Sequence, residues 1–367
     1  MHDSHKIVKH LLASKQMPAR IPFFDTIWPD TLESWVKQGY PVDKNNQPIE
    51  PFLHFGFDIA PMIGFFDWHP KIGYEKIEQE TDEWKIVRNG SGAALRYWKN
   101  KSGTPEHIDF KMTTRDIWEK EYKPLIPGSA NKRIEPIINN SREKFRRYRA
   151  ENLFVCFGHQ FIWESMRCSM GDICLYETLL LDPDWVHDYA RTYTDLHKQC
   201  YEILFEEVGI PDCVWMFEDL GYKNSLFCSP KIYEKLIFPY FAEMVEFFHN
   251  KNLPVILHTC GFVEPVIDLI VKTGFDGLNP MEVKAGNDPL RIAEKTGGNL
   301  ALIGGMSVVT LESGDRELIR KETVNLIEGM KQRSTRFVFT SDHSISTNVK
   351  YEDFKYVLDI YREHMII

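Results

Sequence analysis

The sequence predicts an α/β protein in which strand and helix units close into a (β/α)8 barrel. From residue 152 onward, short runs rich in Val, Ile, Leu and Phe alternate with amphipathic helical segments, the pattern of parallel strands joined by helices. Polar or glycine residues follow each run, as expected where a barrel gathers its active-site loops. No GxGxxG or P-loop motif follows an early strand, so an open nucleotide-binding sheet loses support. The barrel is therefore favoured over the doubly wound sheet.

Residues 1–150 differ in texture from the rest of the chain and are predicted to form an irregular N-terminal extension with early barrel elements. This region is rich in Trp, Pro and Gly, and we expect helices and a small hairpin in it. Between residues 83 and 110, apolar and polar residues alternate, with turn residues at Asn89, Gly90, Gly92 and Gly103. This alternation predicts an antiparallel flap.

Residues 151–367 contain the main strand and helix repeats. Six parallel strands are predicted, at 153–157, 213–217, 254–257, 277–278, 300–303 and 337–340. Helices are predicted at 230–250, 263–272, 290–295, 317–332 and 351–364. Because both regions supply parts of one barrel, residues 1–367 are predicted to form a single domain.

The composition limits where in the cell the protein is expected and which kinds of molecule it is expected to bind. The 44 basic and 53 acidic side chains give a formal charge of −9, and no basic run is present to neutralise nucleic-acid phosphates. The apolar runs are too short to cross a membrane, and the first residues lack the apolar stretch of about 7 to 15 residues that an export signal needs. Seven scattered cysteines fit reduced thiols or a metal site better than disulfides. We therefore expect a cytoplasmic protein, and a homodimer is compatible with the sequence.

Polar side chains that follow the predicted strands are expected to converge on one pocket, because the carboxyl ends of parallel strands meet at one edge of a barrel. In chain order these residues are His159, Gln160, Glu218, Asp219, His258, Cys260, Asn279, Glu282, Ser307, Ser341, Asp342 and His343. The segment LHTCG carries the sharpest signal, since His258 and Cys260 are two residues apart and leave a strand on the same side.

The HxC pair of His258 and Cys260 can reach one metal ion. Zinc accepts nitrogen and sulfur ligands at about 2.0 to 2.3 Å, and a catalytic zinc keeps three protein ligands and one open position. A third ligand is therefore required, and the candidates are His343, which is preferred, and Glu218, Glu282 and Asp342. The alternative is that His258 hydrogen-bonds a neighbour while Cys260 is a small buried residue, which is the commoner outcome for an isolated HxC pair.

Three segments of the second half carry a resemblance to a known family. They read LHTCGFVEPVIDLIVKTGFDGLNPMEVKAGNDP, LALIGGMS and FVFTSDHSIS, and together they resemble the uroporphyrinogen decarboxylase superfamily over residues 150–364. In the first half, DTIWPDTLESWVKQGYP and FGFDIAP are similar to a divergent branch often encoded beside corrinoid proteins. The resemblance implies a TIM-barrel fold. It also implies one of two chemistries: metal-free porphyrinogen decarboxylation, or zinc-dependent methyl transfer between a corrinoid protein and a thiol or pterin.

In the zinc-dependent branch, the HxC motif supplies two metal ligands and a cysteine after the last strand supplies the third. The resemblance carries these roles to His258, Cys260 and the position of His343, where a histidine replaces the cysteine. Decarboxylases also have a histidine in this loop, so His343 alone does not distinguish the two branches. Cys260 favours metal binding, because many divergent members have Asp at this position.

The decarboxylase branch is characterised by an arginine-rich motif of the RQAGRY type, which this sequence lacks. The nearest segment, PARIPFFDTIW, offers only Arg20, whereas a substrate with eight carboxylates needs several guanidinium groups. Asp58, in FGFDIAP, lies near the position of that branch's catalytic aspartate, and it can equally be a turn residue before Pro61. Porphyrinogen decarboxylation is therefore disfavoured.

The resemblance accordingly implies a corrinoid-linked methyltransferase in which zinc binds a thiol or pterin acceptor. The corrinoid is expected on a partner protein, because no DxHxxG cobalamin-binding motif is present. The catalytic candidates, which would orient imidazoles or accept a proton, are Glu218, Asp219, Asp342 and Asp58. The candidates for contact with the small-molecule methyl donor or acceptor are Gln160, Trp163, Tyr176, Asn279, Glu282 and Ser307.

The remaining expectations concern the aromatic residues of the first half and the alternative functions. The residues Trp28, Phe65, Phe66 and Trp68 are expected either to form a docking rim or lid or to lie in the core. A metal-free decarboxylase or lyase would use Asp58, Tyr176 or His343 as acid and base groups. The second alternative is a corrinoid-binding barrel without turnover, which the intact polar residues at six strand ends disfavour.

Overall fold

The N-terminal region forms three helices and an antiparallel sheet. The computed structural model describes residues 4–100 and 103–367. The helices are α1 (Ser4–Leu12), α2 (Pro29–Lys37) and α3 (Pro51–Phe55). The sheet contains four strands in chain order, β1 (Glu75–Glu80), β2 (Trp84–Asn89), β3 (Ala94–Trp98) and β4 (Glu106–Asp109). The predicted flap is therefore present, but it is larger than a small hairpin, because the fully exposed strand β1 has no apolar alternation that could reveal it.

The rest of the chain alternates helices and strands. The segment before the main repeats contains α4 (Arg115–Ile117), α5 (Ala130–Ile134) and α6 (Ile138–Ala150). The repeats begin with β5 (Cys156–Gln160), α7 (Ile162–Met170), α8 (Asp172–Leu181), α9 (Pro183–Glu207), β6 (Cys213–Phe217), the two-residue strands β7 (Gly221–Tyr222) and β8 (Ser225–Leu226), α10 (Pro230–Leu236) and α11 (Phe238–His249). They continue with β9 (Val255–Thr259), α12 (Ile267–Thr273), β10 (Gly277–Pro280), α13 (Pro289–Thr296), β11 (Ala301–Ile303), α14 (Val308–Ser313), α15 (Arg316–Gln332), β12 (Phe337–Val338) and α16 (Tyr351–His364).

Six parallel strands and two short extended segments form the closed barrel. The strands β5, β6, β9, β10, β11 and β12 pair side by side in chain order. On one side, the Phe339 N–H donates to Pro22 O at 2.9 Å, and the Asp58 N–H donates to Phe23 O at 2.7 Å. The Phe154 N–H then donates to Asp58 O at 3.1 Å, which joins the second segment to the chain leading into β5. These bonds complete a ring of eight, so the predicted (β/α)8 barrel is confirmed.

The predicted element bounds differ from the observed ones where local geometry intervenes. The predicted helix 230–250 is divided at Ile237, because Pro239 cannot donate a backbone hydrogen bond and begins a new helix instead. The predicted strand 153–157 pairs with its neighbour only from Cys156, since Phe154 forms an isolated bridge to Ile59 of the closing segment. The last helix, α16, begins and ends at the predicted residues.

The two ends of the described chain meet at the side where the barrel closes. The Ile21 N–H donates to Met365 O at 2.8 Å. The Thr31 hydroxyl donates to Ile345 O at 2.9 Å, and the Trp35 indole N–H donates to Val349 O at 2.7 Å. No helix among residues 4–100 and 103–367 has the length and apolar character that a membrane crossing requires.

Candidate functional site

A cavity of about 600 Å³ lies at the carboxyl ends of the barrel strands. Its wall includes Phe217 of β6, His258 of β9, Asn279 of β10 and Thr340 after β12, and the segment 24–28 closes the remaining side. This is the end of the fold at which barrel enzymes carry their chemistry. The cavity is therefore the candidate site.

Three side chains with different ligand atoms meet at the edge of this cavity. The Cys260 Sγ and His258 Nε2 atoms are 3.4 Å apart, and His258 Nε2 is 3.8 Å from Asp219 Oδ1. All three ligand atoms lie within 4.8 Å of one another. Across residues 4–100 and 103–367, this is the one group of three or more such side chains that could hold a metal ion. Nitrogen, sulfur and carboxylate oxygen are all zinc ligands.

The orientation of the His258 imidazole is set by Asn279. The His258 Nδ1 and Asn279 Oδ1 atoms are 2.6 Å apart, and the Asn279 amide nitrogen donates to Ile303 O at 3.1 Å. Since the amide nitrogen is occupied in this way, Oδ1 accepts the Nδ1 proton of the imidazole. The Nε2 lone pair consequently faces Cys260 and Asp219, as in metal sites whose histidine is held by an outer partner.

Burial keeps both members of the HxC pair uncharged when no cation is bound. It lowers the pKa of His258, with smaller opposing effects from Asp219 and Asn279. Burial also raises the pKa of the Cys260 thiol well above its usual value, and the neighbouring carboxylates of Asp219 and Glu282 add to this effect. A bound metal cation would reverse the balance at the thiol, because thiolate is the form that binds metal.

Backbone contact between the loops after β6 and β9 brings Asp219 and Cys260 side by side. The Cys260 N–H donates to Asp219 Oδ1 at 2.8 Å. Gly261 has a φ of +79°, and a Cβ built on it would lie 2.1 Å from the carbonyl carbon of Gly221. Neither loop could come so close if Gly261 carried a side chain.

Glu218 precedes Asp219 and has different surroundings. It is fully buried, and its carboxylate accepts backbone N–H groups from Phe161, from Trp163 at 2.6 Å and from Glu164 at 3.4 Å. Burial raises its pKa well above the usual value, and the nearby Glu164 carboxylate adds to the rise. Glu218 therefore holds the first turn of α7, while its catalytic role stays a prediction.

Asp342 and Glu282 likewise bind backbone groups. The Asp342 carboxylate accepts the N–H groups of Val283 and Val308, both at 2.8 Å, and Glu282 accepts the N–H of Gly261 at 2.7 Å. Burial raises the pKa of Asp342. These bonds tie the loops after β9, β10, β11 and β12 together beneath the cavity.

His343, the preferred third metal ligand from the sequence, lines the same cavity. It lies close enough to His258 to lower that residue's pKa slightly. It is not a member of the group formed by Asp219, His258 and Cys260. Asp219, which was expected from the sequence to orient imidazoles or accept a proton, is the third member of this group.

Asp58 lies at the closing side of the barrel and does not line the cavity. Its carboxylate pairs with Arg20, with Arg20 Nη1 to Asp58 Oδ2 at 2.8 Å, and it also accepts the Phe23 N–H at 2.8 Å. The side chain of Asp58 is 1% exposed. These contacts link the two extended segments that complete the ring.

Four of the predicted substrate-binding residues do not line the cavity and instead contact other groups of the protein. The Gln160 side-chain oxygen Oε1 accepts the Trp68 indole N–H at 2.9 Å, and the indole N–H of the buried Trp163 donates to Asp219 O at 2.7 Å. Tyr176 stacks on Phe227 at a centroid distance of 6.3 Å. Ser307 caps the N-terminus of α14. Asn279 lines the cavity as predicted.

The aromatic residues of the first half divide between the two expected roles. Trp28 and Phe65 line the cavity, and Phe65 is 48% exposed at its mouth. Phe66 and Trp68 are buried in the core. The core interpretation therefore holds for Phe66 and Trp68, while a docking rim or lid formed by Trp28 and Phe65 stays a prediction.

Asp25 is a cavity residue that the sequence analysis did not identify. Its Oδ1 atom accepts the Ser341 hydroxyl at 2.5 Å and the Thr26 N–H at 2.8 Å. Burial raises its pKa to about 7, although these hydrogen bonds act in the opposite direction. A signal was available, since Asp25 directly follows the apolar run Ile21 to Phe24, but an isolated run of four residues reads as loop rather than strand.

Comparison with solved structures identifies a shared fold. A methyltransferase from Methanosarcina mazei superposes with a TM-score of 0.68 at 15% identity, covering 98% of this chain and 98% of that one. A Xaa-Pro dipeptidase with bound methionine has a TM-score of 0.26 at 12% identity, covering 48% and 43%, and the YdjI aldolase from Escherichia coli K12 has 0.19 at 10%, covering 62% and 91%. The last two similarities are too low to bear on the fold.

The family comparison covers the second half of the chain. No curated protein matches the sequence. The uroporphyrinogen decarboxylase (URO-D) family matches residues 160–364, which is more than half of the 367 residues and includes the HxC pair. The chain therefore belongs to the uroporphyrinogen decarboxylase family.

Proposed function

We propose that the protein moves a methyl group between a corrinoid on a partner protein and a thiol or pterin acceptor, at a zinc site formed by His258, Cys260 and Asp219. The proposal rests chiefly on the meeting of nitrogen, sulfur and oxygen ligand atoms within 4.8 Å. The shared fold of a Methanosarcina mazei methyltransferase supports it as well.

The donor set fits zinc. A tetrahedral zinc with nitrogen at about 2.0 Å and sulfur at about 2.3 Å separates the two ligand atoms by about 3.5 Å. The distance of 3.4 Å between Cys260 Sγ and His258 Nε2 is close to this value. We propose Asp219 as the third ligand in place of His343, because its Oδ1 atom lies 3.8 Å from the same nitrogen.

Each residue of the group has a separate task in this proposal. When bound, zinc supplies a Lewis acid that stabilises an acceptor thiolate at neutral pH. Asn279 holds the imidazole of His258 in the orientation that binds. We assign to the partly exposed Asp219 carboxylate the further task of taking up the proton that the acceptor releases. The apolar wall of the cavity keeps water from the transferred methyl group.

The first test is the zinc content of the purified protein by elemental analysis. We expect about one zinc per chain in the wild type and a loss of most of it in Cys260→Ala, because a catalytic zinc needs its three protein ligands. Cys174→Ala is the matched control, since Cys174 is a half-buried cysteine outside the group and should leave the zinc in place. Zinc that persists in Cys260→Ala, or a wild type that takes up none after reconstitution, would contradict the proposed site.

A second test addresses Asn279 as a positioning residue. Asn279→Ala should weaken zinc binding by roughly 10 to 100-fold, because the imidazole loses the acceptor that fixes its tautomer. Asn279→Asp keeps an acceptor oxygen and should restore most of the affinity, measured by competition with a chelator of known strength. Equal affinities in the wild type and Asn279→Ala would show that the hydrogen bond has only a structural role.

A further inference from the structure

The candidate cavity has an unusual balance of charge. Its described lining residues include the carboxylates of Asp25 and Asp219 but no lysine or arginine. The lining also includes the imidazoles of His258 and His343. An anionic ligand would lose its hydration in this cavity without gaining a cationic partner, which is costly. Substrates that carry carboxylate, phosphate or sulfonate groups are therefore disfavoured.

The wall is aromatic. Seven Phe and Trp side chains line the cavity, among them Phe24 and Trp28 on the segment that carries Asp25. Trp215 and Phe217 belong to β6 on the wall nearer the HxC pair. Ring faces carry partial negative charge and attract cations, most strongly when the cation has been taken out of water.

Asp25 and the HxC pair lie at opposite ends of this cavity. The segment around Phe23 stands between β12 and the segment around Asp58 in the ring of eight. His258 lies on β9, which is four positions around the ring of eight from the Phe23 segment. The two are therefore directly across the barrel from each other. A ligand that fills the cavity would thus have one end at the proposed metal and the other at Asp25.

The partners of Asp25 are neutral. Its carboxylate accepts the Ser341 hydroxyl, the Thr26 N–H and, at 3.3 Å, the Ser341 N–H. Burial raises the pKa of Asp25 to about 7, because its neutral hydrogen-bond partners compensate the carboxylate charge only in part. A cationic ligand would supply the missing partner.

We propose that the cavity binds a small organic cation of the methylated-ammonium class, with its charged group between the Asp25 carboxylate and the aromatic wall. The inference narrows the acceptor of the proposed methyl transfer to a thiol that also carries a methylated-ammonium group, with the thiol end at the metal and the ammonium end at Asp25. It rests on the proposed function for the reaction but not for the binding. At the other end, one thiolate and one carboxylate would balance the two charges of zinc, so the metal would not repel a cation at Asp25.

The test uses three probes of nearly equal shape and different charge. These are choline, its neutral isostere 3,3-dimethyl-1-butanol and the anion 3,3-dimethylbutanoate, with binding measured by calorimetry and by the fluorescence of Trp28 and Trp215. Choline should bind on the order of tenfold more tightly than the neutral probe, and the anion should bind most weakly. Equal binding of the three probes, preference for the anion or no binding of choline would overturn the proposal.

Two variants assign the effect to Asp25. Asp25→Asn should abolish the preference for choline over its neutral isostere. The matched control is Asp82→Asn, which makes the same charge change at an exposed turn outside the cavity and should leave the preference intact. The probe series on the wild type decides the proposal if Asp25→Asn does not fold.

All binding measurements are made on zinc-loaded and on chelator-treated protein. Failure of the zinc experiment with retained choline preference would reject the proposed methyl transfer and leave the cation site standing. Retained zinc without choline preference would reject the cation site alone.

Discussion

At the scale of single residues, hydrogen bonding decides what each carboxylate near the cavity can do. Glu218 gives its oxygens to backbone N–H groups and is fully buried, whereas the Asp219 side chain is 35% exposed and has one oxygen near His258. Asp25 is bound by a hydroxyl and by backbone N–H groups. Glu218 thus caps a helix, Asp219 is a candidate metal ligand, and Asp25 is a candidate partner for a bound organic cation.

Asp25 predicts a pH dependence of stability. Its pKa in the folded chain is about 7, and in the unfolded chain it is about 4, so the folded state holds the proton more tightly. The contribution of protonated Asp25 to the free energy of unfolding is fully present below about pH 4 and is lost as the pH rises through about 7. Asp25→Asn should therefore exceed the wild type in unfolding free energy at pH 8, by on the order of 2 kcal/mol, and match it near pH 4.

The measurement is urea unfolding of ligand-free protein at several pH values. The other titratable groups of the cavity, Asp219, His258, Cys260 and His343, are present in both proteins, so their contributions largely cancel in the comparison. A stability difference that does not change between pH 4 and pH 8 would contradict a raised pKa for Asp25.

From the sequence, His258, Cys260 and Asn279 were expected in one pocket, but Asn279 was a candidate for substrate contact rather than the acceptor for His258. The different contacts of Glu218 and Asp219 were not predicted either. Successive side chains on a strand point to opposite sides, yet β6 ends at Phe217, and the pleat no longer fixes direction in the loop that follows. Which of the two acids faces the cavity depends on tertiary contacts such as the Cys260 N–H bond to Asp219.

At the scale of elements, the loops after β6 and β9 act as one unit because two glycines allow their backbones to touch. Gly261→Ala would place a Cβ 2.1 Å from Gly221, next to the proposed metal ligand Cys260. The six parallel strands and the helices α10 to α13, α15 and α16 left clear periodic signals and were predicted within a few residues, whereas α7, α8 and α9 between β5 and β6 were not predicted. The strand β1 and the extended segments at Phe23 and Asp58 left none, because they are either wholly exposed or held by single bridges.

Gly261→Ala should both destabilise the protein and reduce its zinc content. The loops after β6 and β9 would have to separate to accommodate the alanine side chain. Gly297→Ala is the control, since Gly297 also has a positive φ but its Cβ would meet nothing within 4 Å. The control should cost only about 1 kcal/mol of stability and keep its zinc. If both variants behave alike in thermal unfolding and metal analysis, loop contact does not position the site.

At the scale of the whole molecule, the barrel is closed by irregular segments rather than by regular strands. The pair formed by Asp58 and Arg20 is buried where those segments meet, with side-chain exposures of 1% and 11%. Alternation of strands and helices predicted the barrel from six of its eight members, and the other two become visible only through backbone bonds such as Asp58 N–H to Phe23 O.

Asp58→Asn should lower stability by about 3 to 5 kcal/mol, because it leaves the Arg20 guanidinium buried without a charged partner. Its zinc content should remain that of the wild type, since Asp58 does not line the cavity. Glu119→Gln, which breaks an exposed pair with Arg115, should cost less than about 1 kcal/mol. If Asp58→Asn kept its stability but lost methyl transfer, Asp58 would instead have a role in catalysis.

Because residues near the two ends of the chain pair in the barrel, their contacts can form only late in synthesis. Phe23 and Asp25 leave the ribosome more than 300 residues before Phe339 and Ser341, their partners in the ring and in the cavity. A growing chain can bring His258 and Cys260 together long before it can close the barrel, because contacts so distant in sequence form late. The nascent protein would thus assemble the proposed metal site before the contacts between Asp25 and Ser341 that complete the proposed cation site.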